Sequence, residues 1–464
     1  MGGFGDLETE EPVWMPTLIE LEASGKKIQG QLKGRFKSPI EGKLAGENLR
    51  LETRLQGRKL TCDASREGEF LVGDCRFGDR PMKLSLTSSP PLTREQAAPY
   101  IGLYELAPGH HLAIAMDEIL IAIDLETGWG RTLFHQGDDR FFAGPKITVP
   151  FPVERRLAFT RNAQGEVTAL TLESSAGTVE AKRCCQGRSE PFAFKSAGTE
   201  LRGTLHLPPG DGPFPAAVWI HGSGRSDRHD AIHFPAYLVR EGFAVLAYDK
   251  RGIGESGGSY AMPDGRTFGY PFLARRAGDA LAAVRALRQR PEVDADRVGL
   301  FGLSQAGWVA AQAAGSADIA FTVVLSGGAT ALSLEDKHSR WSGENIATGG
   351  TVEEVIARLR KEPIKEPGFR SHFANQKSPG LWLYGFKDRS NPSQLCAELI
   401  EDVAKAHGKD FTVVTFPNGN HALLEAKRGG YDEIGALEEW VPGMHGVISE
   451  WLREKVLRLE STND

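Results

Sequence analysis

The stretch Arg297-Val298-Gly299-Leu300-Phe301-Gly302-Leu303-Ser304-Gln305-Ala306-Gly307-Trp308 constrains this chain more than any other. Val298, Leu300 and Phe301 make a short apolar strand, and Trp308-Val309-Ala310-Ala311 open a small-residue helix. A serine stands between them. Holding it on a sharp, strained turn requires small residues two places to either side, because larger ones collide with strand and helix. Gly302 and Ala306 meet that need, with alanine at the fifth position and Gly307 directly after it. Such a strand–turn–helix elbow presents a serine hydroxyl as a nucleophile. A more literal match, Gly254-Glu255-Ser256-Gly257-Gly258, lacks the context. The strand Ala244–Tyr248 ends several residues before it, and Pro263 and Gly265 prevent a helix after it.

A chain of 464 residues has room for two or three domains. Its net charge of -6 gives no electrostatic footprint for nucleic acid. No apolar run approaches bilayer-spanning length, so no transmembrane segment is expected. Met1 to Glu11 is acidic and glycine-rich and carries no basic-then-apolar leader. The five cysteines (Cys62, Cys75, Cys184, Cys185 and Cys396) match no metal spacing, and adjacent Cys184 and Cys185 are poorly placed to bridge. Free or buried thiols are the plainer reading, on the rarity of intracellular bridges; Cys62 with Cys75 could form a bridge if the protein is exported.

From Thr17 to about Arg183 apolar and polar residues alternate with period two, as in Leu49 to Leu55, Met82 to Thr87 and Val167 to Leu172. One wet face and one buried face imply an antiparallel barrel or sandwich over 1–189. Pro90-Pro91 and a capping box of Thr93 with Gln96 interrupt the pattern with a short helix, which either divides two β-units or is an excursion within one barrel. His110-His111 lie near a turn with no carboxylate pair beside them in sequence, and read as solvated. The segment from Tyr100-Ile101-Gly102-Leu103-Tyr104 to Phe142 resembles the lipocalin-like β-domains attached to some hydrolases. A packing or homo-oligomerising role is the plainer expectation for it, and a ligand-holding barrel the sharper one.

The texture changes around Gln186 to Glu190. Over 190–464 strands alternate with helices: Ala216 to Ile220, Ala231 to Arg240, Ala244 to Tyr248, Phe272 to Arg290, Arg297 to Phe301, Ile319 to Leu325, Leu381 to Tyr384, Leu395 to Ala406, Phe411 to Phe416 and a closing helical region Ile434 to Leu457. This is α/β patterning, a mostly parallel sheet covered on both faces.

Serine chemistry needs a base, a group to orient the base, and donors for an oxyanion. His421, directly after the last strand, is placed to exchange the Ser304 proton. Asp388, past the preceding strand, is placed to hold the imidazole, with a helix cap as its alternative role. Asp402 falls mid-helix, and Asp249 precedes Ser304, which breaks the chain order serine, acid, histidine. His221-Gly222-Ser223-Gly224 follows a strand, and the main-chain N–H groups of Ser223 and Gln305 are the expected oxyanion donors, with His221 bracing the loop.

The elbow, His221-Gly222, Asp388, His421 and Tyr248-Asp249-Lys250-Arg251-Gly252-Ile253-Gly254-Glu255-Ser256 together resemble the α/β-hydrolase superfamily from about Pro191 to Leu457, closest to bacterial carboxylesterases and serine-aminopeptidase-like hydrolases. The resemblance implies a triad of Ser304, Asp388 and His421, no cofactor and no metal, with the Asp-x-Arg-Gly-x-Gly-x-Ser segment shaping a loop. It also implies that the insertion 327–379 caps the serine. Helices are expected at Leu332 to Trp341 and Thr351 to Lys361, with a break from Glu362 to Gly368. With His221 and Gly222, the cap residues Trp341, Phe369 and Phe373 are candidates to line a substrate pocket; the alternative is that these aromatics glue the cap to the body. The expected activity is that of a carboxylesterase acting on short-chain, small-molecule esters. Its alternatives are a peptidase or amidase, with Glu335 or Asp336 receiving an amine, a thioesterase, or a ligand-binding protein without catalysis.

Overall fold

The computed structural model describes residues 2–6, 13–33, 38–55, 57–78, 80–89, 92–116, 119–185, 187–345, 349–364, 366 and 368–458. Residues 1 and 7–11 of the acidic amino-terminal stretch, and Pro90, Pro91, Gln186, Lys365 and Pro367, lie outside them. The chain divides into two compact units. One comprises Met1–Leu125, Trp129–Arg183 and Gly430–Glu439; the other comprises Glu126–Gly128, Cys184–Gly429 and Trp440–Asp464.

The first unit opens with eight antiparallel strands: β1 (Gly2–Asp6), β2 (Val13–Ser24), β3 (Lys27–Lys33), β4 (Ser38–Ala45), β5 (Asn48–Leu55), β6 (Arg58–Glu67), β7 (Phe70–Phe77) and β8 (Arg80–Thr87). β1 pairs with β8 and closes a barrel. Period-two alternation in the sequence becomes alternate burial: Leu49, Leu51, Thr53 and Leu55 are buried along β5, while Asn48, Arg50 and Arg54 are exposed. Leu32, Ile40, Leu60 and Leu84 are buried as well. Cys62 and Cys75 face each other across β6 and β7 and are bridged.

The Thr93 signal is a true helix start. Thr93 Oγ1 accepts from Gln96 N–H, Gln96 Oε1 accepts from Thr93 N–H, and helix α1 (Arg94–Ala97) follows. It divides two β-units, because the next nine strands form a separate sheet: β9 (Gly102–Ala107), β10 (His110–Met116), β11 (Leu120–Asp124), β12 (Gly130–Thr132), β13 (Phe134–Gly137), β14 (Arg140–Ala143), β15 (Arg155–Arg161), β16 (Val167–Ser174) and β17 (Gly177–Cys184). The segment from Tyr100 to Phe142 contributes β9 to β14 of this sheet. The reading of His110-His111 as solvated is corrected here. β10 pairs with β11, which brings Asp124 Oδ2 to 2.8 Å from His110 Nε2, and His111 is buried. The carboxylate arrives from the neighbouring strand, which local sequence does not display.

The second unit holds an eight-stranded sheet of β18 (Arg188–Ser196), β19 (Thr199–Leu207), β20 (Phe214–Ile220), β21 (Ala244–Tyr248), β22 (Val293–Leu303), β23 (Thr322–Leu325), β24 (Gly380–Gly385) and β25 (Phe411–Phe416). Their order is β18-β19-β21-β20-β22-β23-β24-β25. The β18–β19 hairpin and the β19–β21 pairing are antiparallel; from β21 onward every pairing is parallel. Parallel strands must be buried on both faces, and β20, β21, β23 and β24 are almost continuously apolar. The crossovers include helices α2 (Phe234–Arg240), α3 (Tyr270–Leu287), α4 (Ala306–Ser316) and α8 (Ser393–His407). This is the α/β-hydrolase fold. Because β20, β22, β24 and β25 run parallel, the residues after their last positions emerge at one rim of the sheet.

The insertion between β23 and β24 carries α5 (Leu332–Ser342), α6 (Val352–Leu359) and α7 (Arg370–Asn375). Ala331, Leu334, Val352, Val355, Ile356 and Leu359 form its own small core. The closing region differs from expectation. Only Met444–Leu452 (α9) is α-helical, preceded by a 3-10 segment at Tyr431–Ala436. Pro442 interrupts the run, and Gly443 adopts φ +77° as the cap that starts the helix. No helix among the described residues is long and apolar enough to cross a membrane.

Candidate active site

Ser304 comes directly after β22 with φ +62°, a left-handed conformation that a residue with a side chain adopts only under constraint. Its N–H donates to Leu325 O at 2.9 Å, and its carbonyl accepts from Gly307 N–H at 2.9 Å and Gly328 N–H at 3.1 Å. The small neighbours are now explained. A Cβ on Gly302 would lie 2.4 Å from Ile220 O and 2.5 Å from the Ala306 Cβ, so of that facing pair only one can carry a methyl group. A Cβ on Gly307 would lie 2.5 Å from Gly328 O, so the glycine requirement falls one residue later here.

His421 and Asp388 come from the loops after β25 and β24. A Cβ on Gly385 would lie 2.2 Å from Gly419 O, and Lys387 N–H donates to that carbonyl at 2.8 Å. The two loops are therefore in direct backbone contact. His421 Nε2 lies 2.9 Å from Ser304 Oγ, and its Nδ1 lies 2.9 Å from Asp388 Oδ2. Asp388 is fully buried, and both its oxygens are occupied. Oδ1 accepts from the N–H groups of Ser390 and Asn391, each at 2.8 Å, and Oδ2 accepts from Ser393 Oγ at 2.8 Å as well as from His421. Burial alone pushes this carboxyl up; the adjacent His421, its hydrogen bond and the Asn391 N–H outweigh that and hold it below its ordinary range. For His421 burial acts downward, but Asp388 and, further off, Glu344 and Glu335 outweigh it and hold the imidazole above its ordinary value.

Gly222 packs against the serine: a Cβ there would sit 3.4 Å from Ser304 Cβ and 3.8 Å from its Oγ. Among the described residues the N–H groups of Ser223 and Gln305 donate to nothing in the chain. His221 is buried with both nitrogens engaged. Nε2 donates to Tyr248 O at 2.8 Å and Nδ1 accepts from Trp219 Nε1–H at 3.1 Å, and burial pushes the ring down to about 3. It braces the loop and has no face left for substrate, which corrects its inclusion among pocket residues. Ser256 likewise is structural: its Oγ donates to Asp249 O at 2.7 Å and accepts from Arg202 N–H at 2.9 Å. Asp249 is held by Arg228, whose Nη2 lies 2.6 Å from its Oδ2.

The aromatic pocket residues divide. Phe369 and Phe373 are fully buried, Phe369 stacked on Tyr270 at 5.4 Å and Phe373 edge-on to Trp382 at 5.2 Å. Phe369 packs the start of α7 against Tyr270 of α3 and Trp308 of α4, and Phe373 packs it against β24, so both sit in the core under the cap. Trp341 is half-buried, with the Arg358 guanidinium 3.5 Å over its ring. Of the two cap carboxylates, Asp336 is exposed and paired with Arg340 on its own helix. Glu335 is half-buried, and burial followed by Glu344 pushes it up to about 7, within electrostatic reach of His421 and Asp388. Sequence reasoning missed three neighbours of this site. His338 on α5 is buried and donates Nε2–H to Asp388 O at 2.9 Å. Arg276 and Lys250 are buried behind the His221–Gly224 loop. A signal for Arg276 was present: it lies four residues after Phe272 and four before Ala280, on the apolar face of α3.

The second unit is thus an α/β-hydrolase domain with a serine, a histidine and an aspartate hydrogen-bonded in series at the carboxyl rim of its sheet. Residues 231–445 match the prolyl oligopeptidase family. The chain is 31% identical over 223 residues to esterase EstD of Thermotoga maritima, covering 46% of this chain and 50% of that protein. It is 25% identical over 240 residues to mouse acyl-coenzyme A thioesterase 6, covering 48% of this chain and 52% of that protein. The chain spans about half the length of the curated relatives it matches. Among solved structures, the Pyrococcus furiosus esterase Pf2001 matches with a TM-score of 0.41 and 18% identity, over 58% of this chain and 92% of its own.

Proposed function

We propose that this chain is a serine hydrolase that cleaves carboxylic esters of short acyl chains through an acyl-enzyme on Ser304. The observation that carries the reading is the continuous series Ser304 Oγ, His421 Nε2, His421 Nδ1, Asp388 Oδ2, with 2.9 Å at each of its two hydrogen bonds. Ser304 Oγ attacks the acyl carbonyl as its proton passes to Nε2. The tetrahedral oxyanion is received by the N–H groups of Ser223 and Gln305. The imidazolium returns the proton to the leaving alkoxide, and a water activated by the same nitrogen releases the acid. We assign this chemistry to 190–464, with 327–379 as cap, and a packing role to 1–189.

Thioester cleavage by the same residues is the second reading, favoured by the likeness to a protein named as an acyl-coenzyme A thioesterase. A direct comparison of p-nitrophenyl butyrate with butyryl-coenzyme A separates the two. Higher kcat/KM on the oxygen ester supports the esterase reading, and the reverse order replaces it with the thioesterase. Activity confined to aminoacyl anilides would overturn both in favour of a peptidase.

A further inference from the structure

We propose that Arg276 and Lys250 are positioning residues of the oxyanion pocket: they bind the carbonyl oxygens of the His221–Gly224 loop from behind and so turn its amides toward Ser304. The inference rests on the serine-hydrolase reading above. Arg276 Nη2 donates to His221 O at 2.7 Å, and Nη1 donates to Gly222 O at 3.2 Å and to Gln305 Oε1. Lys250 Nζ donates to Gly222 O at 2.6 Å, Gly224 O at 2.7 Å and Ser226 Oγ at 3.4 Å.

A trans peptide is planar, with its C=O and N–H pointing in opposite directions. Fixing the carbonyl of His221 therefore fixes the N–H of Gly222, and fixing that of Gly222 fixes the N–H of Ser223. Both amides point away from the two side chains. Gly222 itself packs against Ser304, a Cβ on it falling 3.8 Å from Ser304 Oγ. Arg276 also holds the side chain of Gln305, the residue whose N–H is the second donor. One guanidinium thus spans both halves of the pocket.

The arrangement is costly, which argues for a purpose. Arg276 is 6% exposed and Lys250 4% exposed, and among the described residues neither pairs with a carboxylate. A buried guanidinium keeps its charge and is expensive without a paired carboxylate. Burial pushes Lys250 down to about 5; a neutral amine still has the two protons that the carbonyls of Gly222 and Gly224 take. Asp249 and Arg251, the neighbours of Lys250, are locked to Arg228 and to Asp279 of α3. The loop after β21 is thereby fixed against the helix that carries Arg276.

The test uses the full chain with Arg276→Met, Arg276→Lys and Lys250→Met. Rates on p-nitrophenyl acetate are counted per serine labelled at exhaustion by a fluorophosphonate, so unfolded protein does not enter. Misdirecting an oxyanion donor lowers kcat by about 10²-fold or more in Arg276→Met. KM is expected to change little, and Arg276→Lys to lie between Arg276→Met and the wild type. A trifluoromethyl ketone, which forms a tetrahedral adduct, should weaken by the same factor as kcat/KM in each variant, a proportionality that general loosening of the fold does not produce. If Arg276→Met yields no folded protein, Lys250→Met must show that proportionality for the inference to stand. Wild-type kcat in Arg276→Met or Lys250→Met, or a loss confined to KM with unchanged ketone affinity, overturns the inference while the hydrolase reading survives. An inert wild-type chain overturns both.

Discussion

Replacing Asp388 by asparagine changes one atom, and the structure says what that atom does. Oδ1 accepts two backbone N–H groups, so an asparagine must leave its oxygen there. Its amide nitrogen then takes the place of Oδ2, facing Ser393 Oγ and His421 Nδ1. The serine hydroxyl can rotate to accept. His421 Nδ1 can accept only by giving up its proton, which moves to Nε2, and an imidazole with a proton on Nε2 donates to Ser304 Oγ and cannot act as its base. The expected loss in kcat is about 10⁴-fold, or about 5 kcal/mol of transition-state stabilisation. The fold should persist, because the backbone partners of Oδ1 are kept. The assay is p-nitrophenyl acetate hydrolysis by the variant beside wild type, with circular dichroism to verify folding. A folded Asp388→Asn enzyme within tenfold of wild-type kcat would refute the reasoning, since the tautomer would then not matter.

The same geometry sets further outcomes. The rate needs neutral His421, whose folded value lies above its ordinary 6.5, so kcat/KM should fall with acid at a midpoint above 6.5; a flat profile would exclude a histidine base. Glu335 is among the groups that raise His421, so in Glu335→Gln that midpoint should move to lower pH; an unmoved midpoint would show that Glu335 does not act on the imidazole. Asp388 is held below its ordinary 3.8, so it stabilises the fold above that pH and the contribution is lost as pH falls through its lower folded value; acid unfolding of Asp388→Asn should lack this component. Gly307→Ala drives a methyl group into the backbone of Gly328 and should destabilise by about 1–3 kcal/mol in urea unfolding. Gly278→Ala, exposed on α3 with nothing within 4 Å, should instead stabilise by about 0.5–1 kcal/mol.

The features legible in the sequence were local ones. Gly302, Ser304 and Ala306 mark the elbow because strain at one backbone position dictates the size of its neighbours. Asp388 and His421 were legible because each sits in a loop just past a strand, and parallel strands bring such loops to one rim. The capping box of Thr93 with Gln96 names its own helix. The rest depends on partners far away in the chain. His110 finds Asp124 only through strand pairing. Phe369 and Phe373 are as aromatic as any pocket lining, and only packing against Tyr270 and Trp382 shows that they are core. The closing region carries helical composition from Ile434, but Pro442 and Gly443 delay the helix to Met444. His338 reaches the carbonyl of Asp388 across 50 positions, and no local pattern announces that.

The central claim is that the hydroxyl of Ser304 is the reacting atom. Mass spectrometry of the full chain treated with a fluorophosphonate tests it most directly. The account predicts one covalent adduct on the peptide containing Ser304, formed in step with loss of esterase activity and absent from Ser304→Ala. An adduct on another residue, or undiminished turnover by Ser304→Ala, would contradict it.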